Sequence, residues 1–600
     1  MIGKGVFDKL DEKFEAVVKS HQTSMRSTKI NESEIAVSST SALLEARFDF
    51  DVLNRLHEPC FIGAERLTPA GDCFVIYEVT SLRPMHFEMT GLDTSMPKII
   101  RKEYLETIRD SWGNSDETWI DFAAVPTKYA LRIEGDKASF EKTKFNALAG
   151  AKAHLLSPET VEQFLSVIDG TEVGTLLGFD LPLKVSMIDL IRFHSGFFAF
   201  TGTGKSNLVS TLIRKSLKEV KDTRIVVFDV SGEYAVNLGD ILLKGGAFYS
   251  TEDLSDEEKF LDSLVIPDSL EKSTTQESLR DFAKKVSSRA RCLNLVPESS
   301  ELTIEFLIDV LQGIIDKGES GAVQASIALN KIKRHLIDEC GYDPKTNLHE
   351  LKESHKGPLI EALAEMSESV HGMSAIKKDM DTLIRYIEEK TPKSKTVESQ
   401  KKTVNPEALA ETILGNESEP LSILYVPEPE MARLAASRFI DRLLLLKKTA
   451  GAKQRILVVL DEAQEFIPQK TSRSDNTESS NKSVEALLRQ GRKYRAHCWI
   501  STQRVAHLNV NALQQLHSYF ASTLPRFWDR MVIADAFGLS YDILDATTQL
   551  DTGEWLFVSF KASKRRNVPA FIKTPNNEEI IAKAFKTLGE GLEKASRNAN

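Results

Sequence analysis

The stretch Ala199-Phe200-Thr201-Gly202-Thr203-Gly204-Lys205-Ser206 follows an apolar run, Gly196-Phe197-Phe198, and precedes a helix-like run over 207–217. A strand, a loop of small residues, Lys-Ser and a helix, in that order, build a cradle for phosphate. Backbone N–H groups of the loop and the helix N-terminus point at the anion, the lysine reaches the outer phosphoryl oxygens, and the serine hydroxyl takes a place on Mg2+. The expected nucleotide contacts are Thr201, Gly202, Thr203, Gly204, Lys205, Ser206 and Asn207, with Ser206 also turned to the metal. Ala199 stands where the usual pattern has its first glycine; a methyl group fits there if φ is negative.

Such a cradle needs an acidic element at the end of a neighbouring strand. Ile456-Leu-Val-Val-Leu-Asp461-Glu462 supplies five apolar residues and then two carboxylates, at the sheet edge where ligands bind in open α/β folds. Asp461 would support Mg2+ through its water shell, and Glu462 would orient or deprotonate an attacking water. Asp229-Val-Ser-Gly-Glu233-Tyr234 ends the strand after the cradle's helix. That strand is expected beside the cradle's own, which makes Glu233 a contributor to the metal and water region. Gln503 ends a further strand, Ile500-Ser-Thr-Gln503, where a neutral amide senses the terminal phosphate without competing for the metal. A lone acidic pair is ordinarily a solvated strand end; the apolar run before it and the cradle upstream carry the functional reading.

At 600 residues the chain exceeds one ordinary core, so two or three domains are expected. Residues 1–45, rich in Ser, Thr, Asn and Gln after a charged stretch at 9–19, read as peripheral. Residues 46–190 carry short apolar runs such as Cys73-Phe-Val-Ile-Tyr and read as a β-rich domain, with strands at 174–186 closing it. Alternating strands and helices over 191–252 and 419–576 imply an α/β core with a parallel sheet covered on both faces. Within that second part a helix is expected over 512–520. Residues 253–418 read as a helical insertion outside the central sheet, with a mobile charged tract at 388–403, and 577–600 as a charged tail. No window approaches the roughly 18 apolar residues of a membrane span, and the first residues lack the apolar core of a secretory signal. Five scattered cysteines without a C-x-x-C pair fit a reducing cytoplasm and exclude a zinc or disulfide framework. A net charge of −10 argues against coating by nucleic acid over the whole surface, but leaves room for a locally basic channel.

Taken together, Thr201-Gly-Thr-Gly-Lys-Ser-Asn207, Asp229-Val-Ser-Gly-Glu-Tyr234, Asp461-Glu-Ala-Gln-Glu-Phe-Ile-Pro468, Gly491-Arg-Lys-Tyr494 and Ser501-Thr-Gln503 resemble the HerA/FtsK class of P-loop ATPases, and HerA more closely. The resemblance covers roughly residues 170–575 and is weakest over the insertion; Gln464 stands where the family often has His or Arg. It implies a RecA-like core, a small amino-terminal barrel (the HAS barrel), ATP and Mg2+ as cofactors, and a homohexameric ring with nucleotide at subunit interfaces and DNA in the central channel. HerA-like proteins work with a separate effector, a NurA nuclease in DNA end resection or a Sir2-like or nuclease protein in antiphage defence. Abundant Asn, Gln and Ser tilt the expectation to a mesophilic bacterium and hence to defence.

Ring ATPases also stabilise the developing phosphate charge with an arginine from the adjacent subunit. Arg489, Arg492, Arg495, Arg504, Arg526 and Arg530 are available, and Arg492 leads. In the polar stretch 469–482, Lys470, Arg473 and Lys482 are candidate DNA contacts, since lysine and arginine grip phosphates independently of sequence. Three readings stay open: an ATP-driven DNA translocase or helicase, a ring that scaffolds and regulates its effector, and a membrane-associated conjugation ATPase of the VirB4/TraD type. The last is disfavoured by the absence of a spanning or strongly amphipathic basic segment.

Overall fold

The computed structural model of the chain describes residues 5–30, 33–66, 73–91, 96–113, 116–134, 137–252, 254, 257–295, 303–317, 322–369, 384, 387, 403–415, 418–451, 453–472 and 475–599. Its amino-terminal part is a closed barrel. Ala16–Ile30 and Ser33–Arg47 form a long antiparallel hairpin, and the sheet runs on through Lys152–Leu155, Phe61–Glu65, Cys73–His86 and Thr118–Glu134. Thr118–Glu134 pairs back onto Ser33–Arg47 and shuts the ring, leaving Lys137–Lys142 outside it. Period-2 alternation sorts the side chains. Val75, Tyr77, Ile120 and Phe122 fill the barrel, while Phe74, Ile76 and Leu131 face outward to the second domain.

Residues 1–45 are therefore not peripheral. The outer half of Ala16–Ile30 is largely exposed on both faces, and that of Ser33–Arg47 turns only Ile35, Val37 and Ser39 inward, too few apolar residues to mark a half-buried strand. The charged stretch at 9–19 is helical only over Asp11–Phe14, and Glu15 ends that turn at φ 38°.

The second domain is built on a 13-stranded sheet. In spatial order its parallel strands are Thr403–Val404, Arg291–Leu293, Ala247–Ser250, Leu421–Tyr425, Thr223–Asp229, Arg455–Leu460, Ala496–Thr502, Ser195–Phe198 and Ser518–Ala521. Antiparallel strands Glu554–Ser559, Ala570–Lys573, Thr171–Leu176 and Leu181–Val185 complete it. The helix Lys205–Glu219 covers one face, and Pro429–Ala450 with Thr477–Gln490 covers the other.

Several expectations are corrected here. The strands at 171–185 belong to this sheet and not to the barrel, because they pair with Ala570–Lys573. Of the stretch 512–520 only Ala512 and Leu513 are helical, at the end of Val510–Leu513, and Ser518–Ala521 is a buried strand too short to show periodicity. The insertion 253–418 lends the sheet two edge strands, Arg291–Leu293 and Thr403–Val404. Its helices Ile304–Lys317, Ala322–Ile332 and Glu353–Ser369 keep a separate core around Leu307, Leu329 and Leu363. Apart from Thr403, the tract at 388–403 lies outside the described residues. The carboxy-terminal segment, expected as a charged helix or a frayed tail, is the helix Glu578–Ala599, whose Phe585 ring stacks 4.4 Å from Phe282.

Candidate nucleotide site

Strand Ser195–Phe198 stops at Ala199, and the chain turns through Gly202 (φ 83°) and Gly204 (φ 93°) into helix Lys205–Glu219. Both glycines are in the left-handed region that side chains avoid. Ala199 is not, so its methyl group is accommodated without strain and lies fully buried. A second segment braces the loop from above. Gly553 N–H donates to the Thr203 carbonyl at 2.9 Å, and Thr552 Oγ1 to the Gly202 carbonyl at 3.3 Å. Nothing in the sequence pattern announces this contact, which joins residues 350 positions apart.

Asp461 and Glu462 leave the end of strand Arg455–Leu460, with one strand, Ala496–Thr502, between it and the strand of the phosphate loop. The side chains nevertheless meet. Lys205 Nζ is 2.8 Å from Glu462 Oε1 and 3.7 Å from Asp461 Oδ1. Burial works against the lysine's charge, but Asp461 and Glu462 outweigh it and raise its pKa. Glu462 is lowered: burial opposes ionisation, and Lys205, Gln464 and Gln503 more than compensate. Glu462 also has φ 47°, a conformation that costs a non-glycine residue about 1–3 kcal/mol and concentrates at functional sites.

Asp461 is nearly inaccessible and is held by Ser231 Oγ and Ser501 Oγ, each donating at 3.0 Å. Both serines stand inside the motifs quoted above, yet their task follows only from the order of the strands. Asp229 is structural: it accepts from the Gly232 and Tyr234 N–H groups at 2.8 and 2.9 Å. Burial and neighbouring Asp461 push its pKa up to about 7. Contrary to expectation, strand Thr223–Asp229 is not next to the phosphate-loop strand, since two others intervene. Glu233 still reaches the site, because Tyr234–Asn237 packs against Lys205–Glu219 and brings the Glu233 carboxylate to the Ser206 hydroxyl, which donates to it. Burial raises the Glu233 pKa, with Asp461 and Glu462 adding to the effect.

The ensemble of one lysine, one hydroxyl and three carboxylates suits a magnesium nucleotide. The open space over Gly202, the free first turn of the helix and the hard oxygens of Ser206, Glu233 and Asp461 are the donor set such a ligand needs. Among the described residues no group of three or more His, Cys, Asp or Glu side chains could hold a metal ion alone, in keeping with Mg2+ held by one or two carboxylates plus phosphates.

Sequence comparison agrees with the geometry. Residues 171–427 match the family described as "Helicase HerA, central domain". The match starts at strand Thr171–Leu176, which the structure places in the sheet of the second domain rather than in the barrel. The DNA double-strand break repair helicase HerA of Pyrococcus furiosus is 25% identical over 433 residues, covering 69% of this chain and 71% of that protein. Over these residues the chain is similar to the HerA-like P-loop ATPases. Among solved structures, VirB4 of Thermoanaerobacter pseudethanolicus is 13% identical with a TM-score of 0.38, covering 68% of this chain and 98% of that one. The plasmid coupling protein TrwB in complex with ADP and Mg2+ is 13% identical with a TM-score of 0.34, covering 70% and 92%.

Gln503 accepts from Thr201 Oγ1, so the amide sits at the phosphate loop. Gln464, at the family's His or Arg position, donates to Glu462 Oε2 at 2.8 Å and accepts from Thr502 Oγ1 at 2.5 Å. It steers the Glu462 side chain, a role that no local sequence pattern signals. Asn207 departs from expectation, because its side chain binds the Pro575 carbonyl and the Asn577 N–H, each at 2.9 Å, rather than facing the cradle.

Arg492 is exposed and lies 5.5 Å above the Phe193 ring, at the sheet end opposite the cradle. Arg489 pairs with Glu485, Arg495 with Asp222, and Arg530 is buried against Tyr541 and Asp545. Arg504 and Arg526 are exposed at the cradle end. Lys470 is exposed, and Lys482 is exposed on helix Thr477–Gln490 rather than in a loop; Arg473 lies outside the described residues. Arg433 donates to the Asp475 carbonyl at 2.7 Å and pins the end of that stretch. Among the described residues no helix is long and apolar enough to cross a membrane.

Proposed function

We propose that the chain is an ATP-driven DNA translocase or helicase of the HerA type. It hydrolyses ATP at the subunit interfaces of a homohexameric ring, with DNA in the central channel. It acts in the cytoplasm with a nuclease or Sir2-like effector, in antiphage defence. The observation that carries this reading is the meeting of Lys205, Ser206, Glu233, Asp461 and Glu462 at one end of the sheet, beside a glycine-bearing phosphate loop.

When bound, MgATP supplies the triphosphate and a cation that spreads its charge. The chain does the rest. Lys205 neutralises the outer phosphoryl oxygens, while the loop and first helical turn offer N–H groups. Glu462, oriented by Gln464, accepts a proton at its carboxylate from the attacking water. Gln503 meets the terminal phosphate, and Ser206 and Asp461 hold the cation's side of the site. Arg492 of one subunit completes the site of the next, and Lys470, Arg473 and Lys482 follow the DNA backbone.

The test is hydrolysis with and without DNA, together with mass photometry and strand displacement by the chain alone. The expected outcome is an ATP-stabilised hexamer whose turnover rises with DNA and which displaces a strand. A hexamer that hydrolyses ATP without regard to DNA and displaces nothing would transfer the case to the effector-scaffold reading. A chain that hydrolyses no ATP would end both.

A further inference from the structure

A second cavity, of about 980 Å3, lies away from the phosphate loop, between the barrel and the motor domain. The barrel supplies Glu78, Lys128, Tyr129, Lys142 and Lys144 to its walls, and the motor supplies Gly538, Ser540, Arg566 and Asn567. Its volume is at the upper end for pockets that hold small organic ligands.

The register of strand Cys73–His86 explains how an acid comes to stand there. Phe74 and Ile76 face outward from the barrel and join the apolar core shared with the motor domain. Glu78 is the next residue on that face, where the strand runs out of apolar partners and meets the cavity. It is 2% exposed, and its Oε2 has no hydrogen-bond partner. Asn567 Oδ1, buried on the opposite wall, has none either. A buried polar atom without a partner costs about 1–3 kcal/mol, and two such acceptors on residues that line one cavity call for a ligand that brings N–H donors. Burial raises the Glu78 pKa well above the usual carboxylate range, a cost that paired donors would relieve.

The walls also carry charge. Lys128, Lys142, Lys144 and Arg566 are exposed at the cavity, against the single exposed acid Asp535. None of the four cations is in an ion pair among the described residues. The Arg566 backbone is fixed by its N–H donating to the Tyr129 hydroxyl at 3.0 Å, which ties the cation to the barrel seam. A ligand that satisfies both halves of this lining has adjacent ring N–H donors at one end and phosphate at the other. Guanine presents two such donors side by side, matched to the two oxygens of one carboxylate, whereas adenine presents a ring acceptor beside its amine.

We propose that the cavity between barrel and motor is a binding site for a guanine nucleotide, with Glu78 and Asn567 receiving the base and Lys142, Lys144 and Arg566 the phosphate. Nucleotide bound there touches both domains, so it fixes the barrel's position relative to the ATPase core.

The test uses full-length protein and GMP, which lacks the β- and γ-phosphates that a phosphate loop grips. Isothermal titration calorimetry should give one saturable GMP site per chain, with AMP at least tenfold weaker. Lys205→Ala should leave GMP binding unchanged. Glu78→Gln, which puts an amide donor against the ligand's own donors, should weaken it at least tenfold. Because Glu78 is buried, the exposed double variant Lys142→Glu/Lys144→Glu serves as a second arm and should weaken GMP at least tenfold with an unchanged melting temperature. The absence of saturable GMP binding below millimolar concentration overturns the proposal. So does equal affinity for AMP, or a site lost in Lys205→Ala and retained in Lys142→Glu/Lys144→Glu.

Discussion

Glu462 Oε1 stands 2.8 Å from Lys205 Nζ, so the residue proposed to activate water and the residue proposed to bind phosphate hold each other. On the proposed mechanism, an arriving triphosphate draws the lysine away and frees the carboxylate. Binding and activation are thereby coupled through one ion pair. Glu462→Gln removes the charge while keeping the shape. Its ATP affinity should rise severalfold, since roughly 1 kcal/mol less is lost in separating the pair. Turnover should fall about 100- to 10,000-fold, the range of a missing general base. Equilibrium binding of a fluorescent ATP analogue beside steady-state hydrolysis checks both signs.

The hydrogen bond from Gly553 to the Thr203 carbonyl makes a distant turn part of the cradle. Gly553 has φ 85°, and its own carbonyl accepts from Thr574 N–H at 2.9 Å. A β-branched side chain is strained at that φ, by about 1–3 kcal/mol. Gly553→Val should raise the KM for ATP and lower the melting temperature, with Gly553→Ala intermediate. Normal KM in a folded Gly553→Val protein would show that the brace is dispensable.

What can be read from sequence divides along physical lines. Lys205, Ser206, Asp461 and Glu462 are legible because a small-residue loop and a five-residue apolar strand are local signals. Ser231, Ser501 and Gln464 sit in view, but their task depends on strand order, which no local pattern encodes. The hairpin of 16–47 reads as a loose segment because the outer half of Ala16–Ile30 is largely exposed and that of Ser33–Arg47 buries only Val37 and Ser39, against a domain that lies far off in sequence. Ser518–Ala521 reads as the end of a helix because four buried residues show no period. The cavity acid Glu78 has no signature at all, since one polar residue in an apolar strand is ordinary until its partners are known.

The basic positions of the stretch after Pro468 give a separate prediction. Replacing Lys470, Arg473 and Lys482 together by alanine should abolish DNA stimulation of hydrolysis while basal turnover persists. The logarithmic salt dependence of DNA binding should flatten by about one for each phosphate that the protein no longer neutralises. Unchanged stimulation would remove these residues from the DNA path.

Acid sensitivity comes from the far end of the sheet. His497 is 1% exposed, and both its ring nitrogens lack partners. Burial, with His194 and Arg455 adding to it, lowers its pKa from 6.5 to about 2, and that of His194 falls to about 4. The folded chain thus keeps both rings neutral where the unfolded chain takes up protons. The stability tied to neutral histidine is present above pH 6.5 and is lost as pH falls toward 2, at up to about 1.4 kcal/mol per unit for each ring. Asp229, raised from 3.8 to about 7, works in the opposite direction, favouring the fold as pH falls through that window. Comparing variants separates the two effects. His497→Leu removes one proton-binding group from the unfolded state and leaves Asp229 in place, so its melting temperature should fall less than that of the parent between pH 6.5 and pH 5. Parallel curves in thermal denaturation would show that His497 takes up its proton in the folded chain.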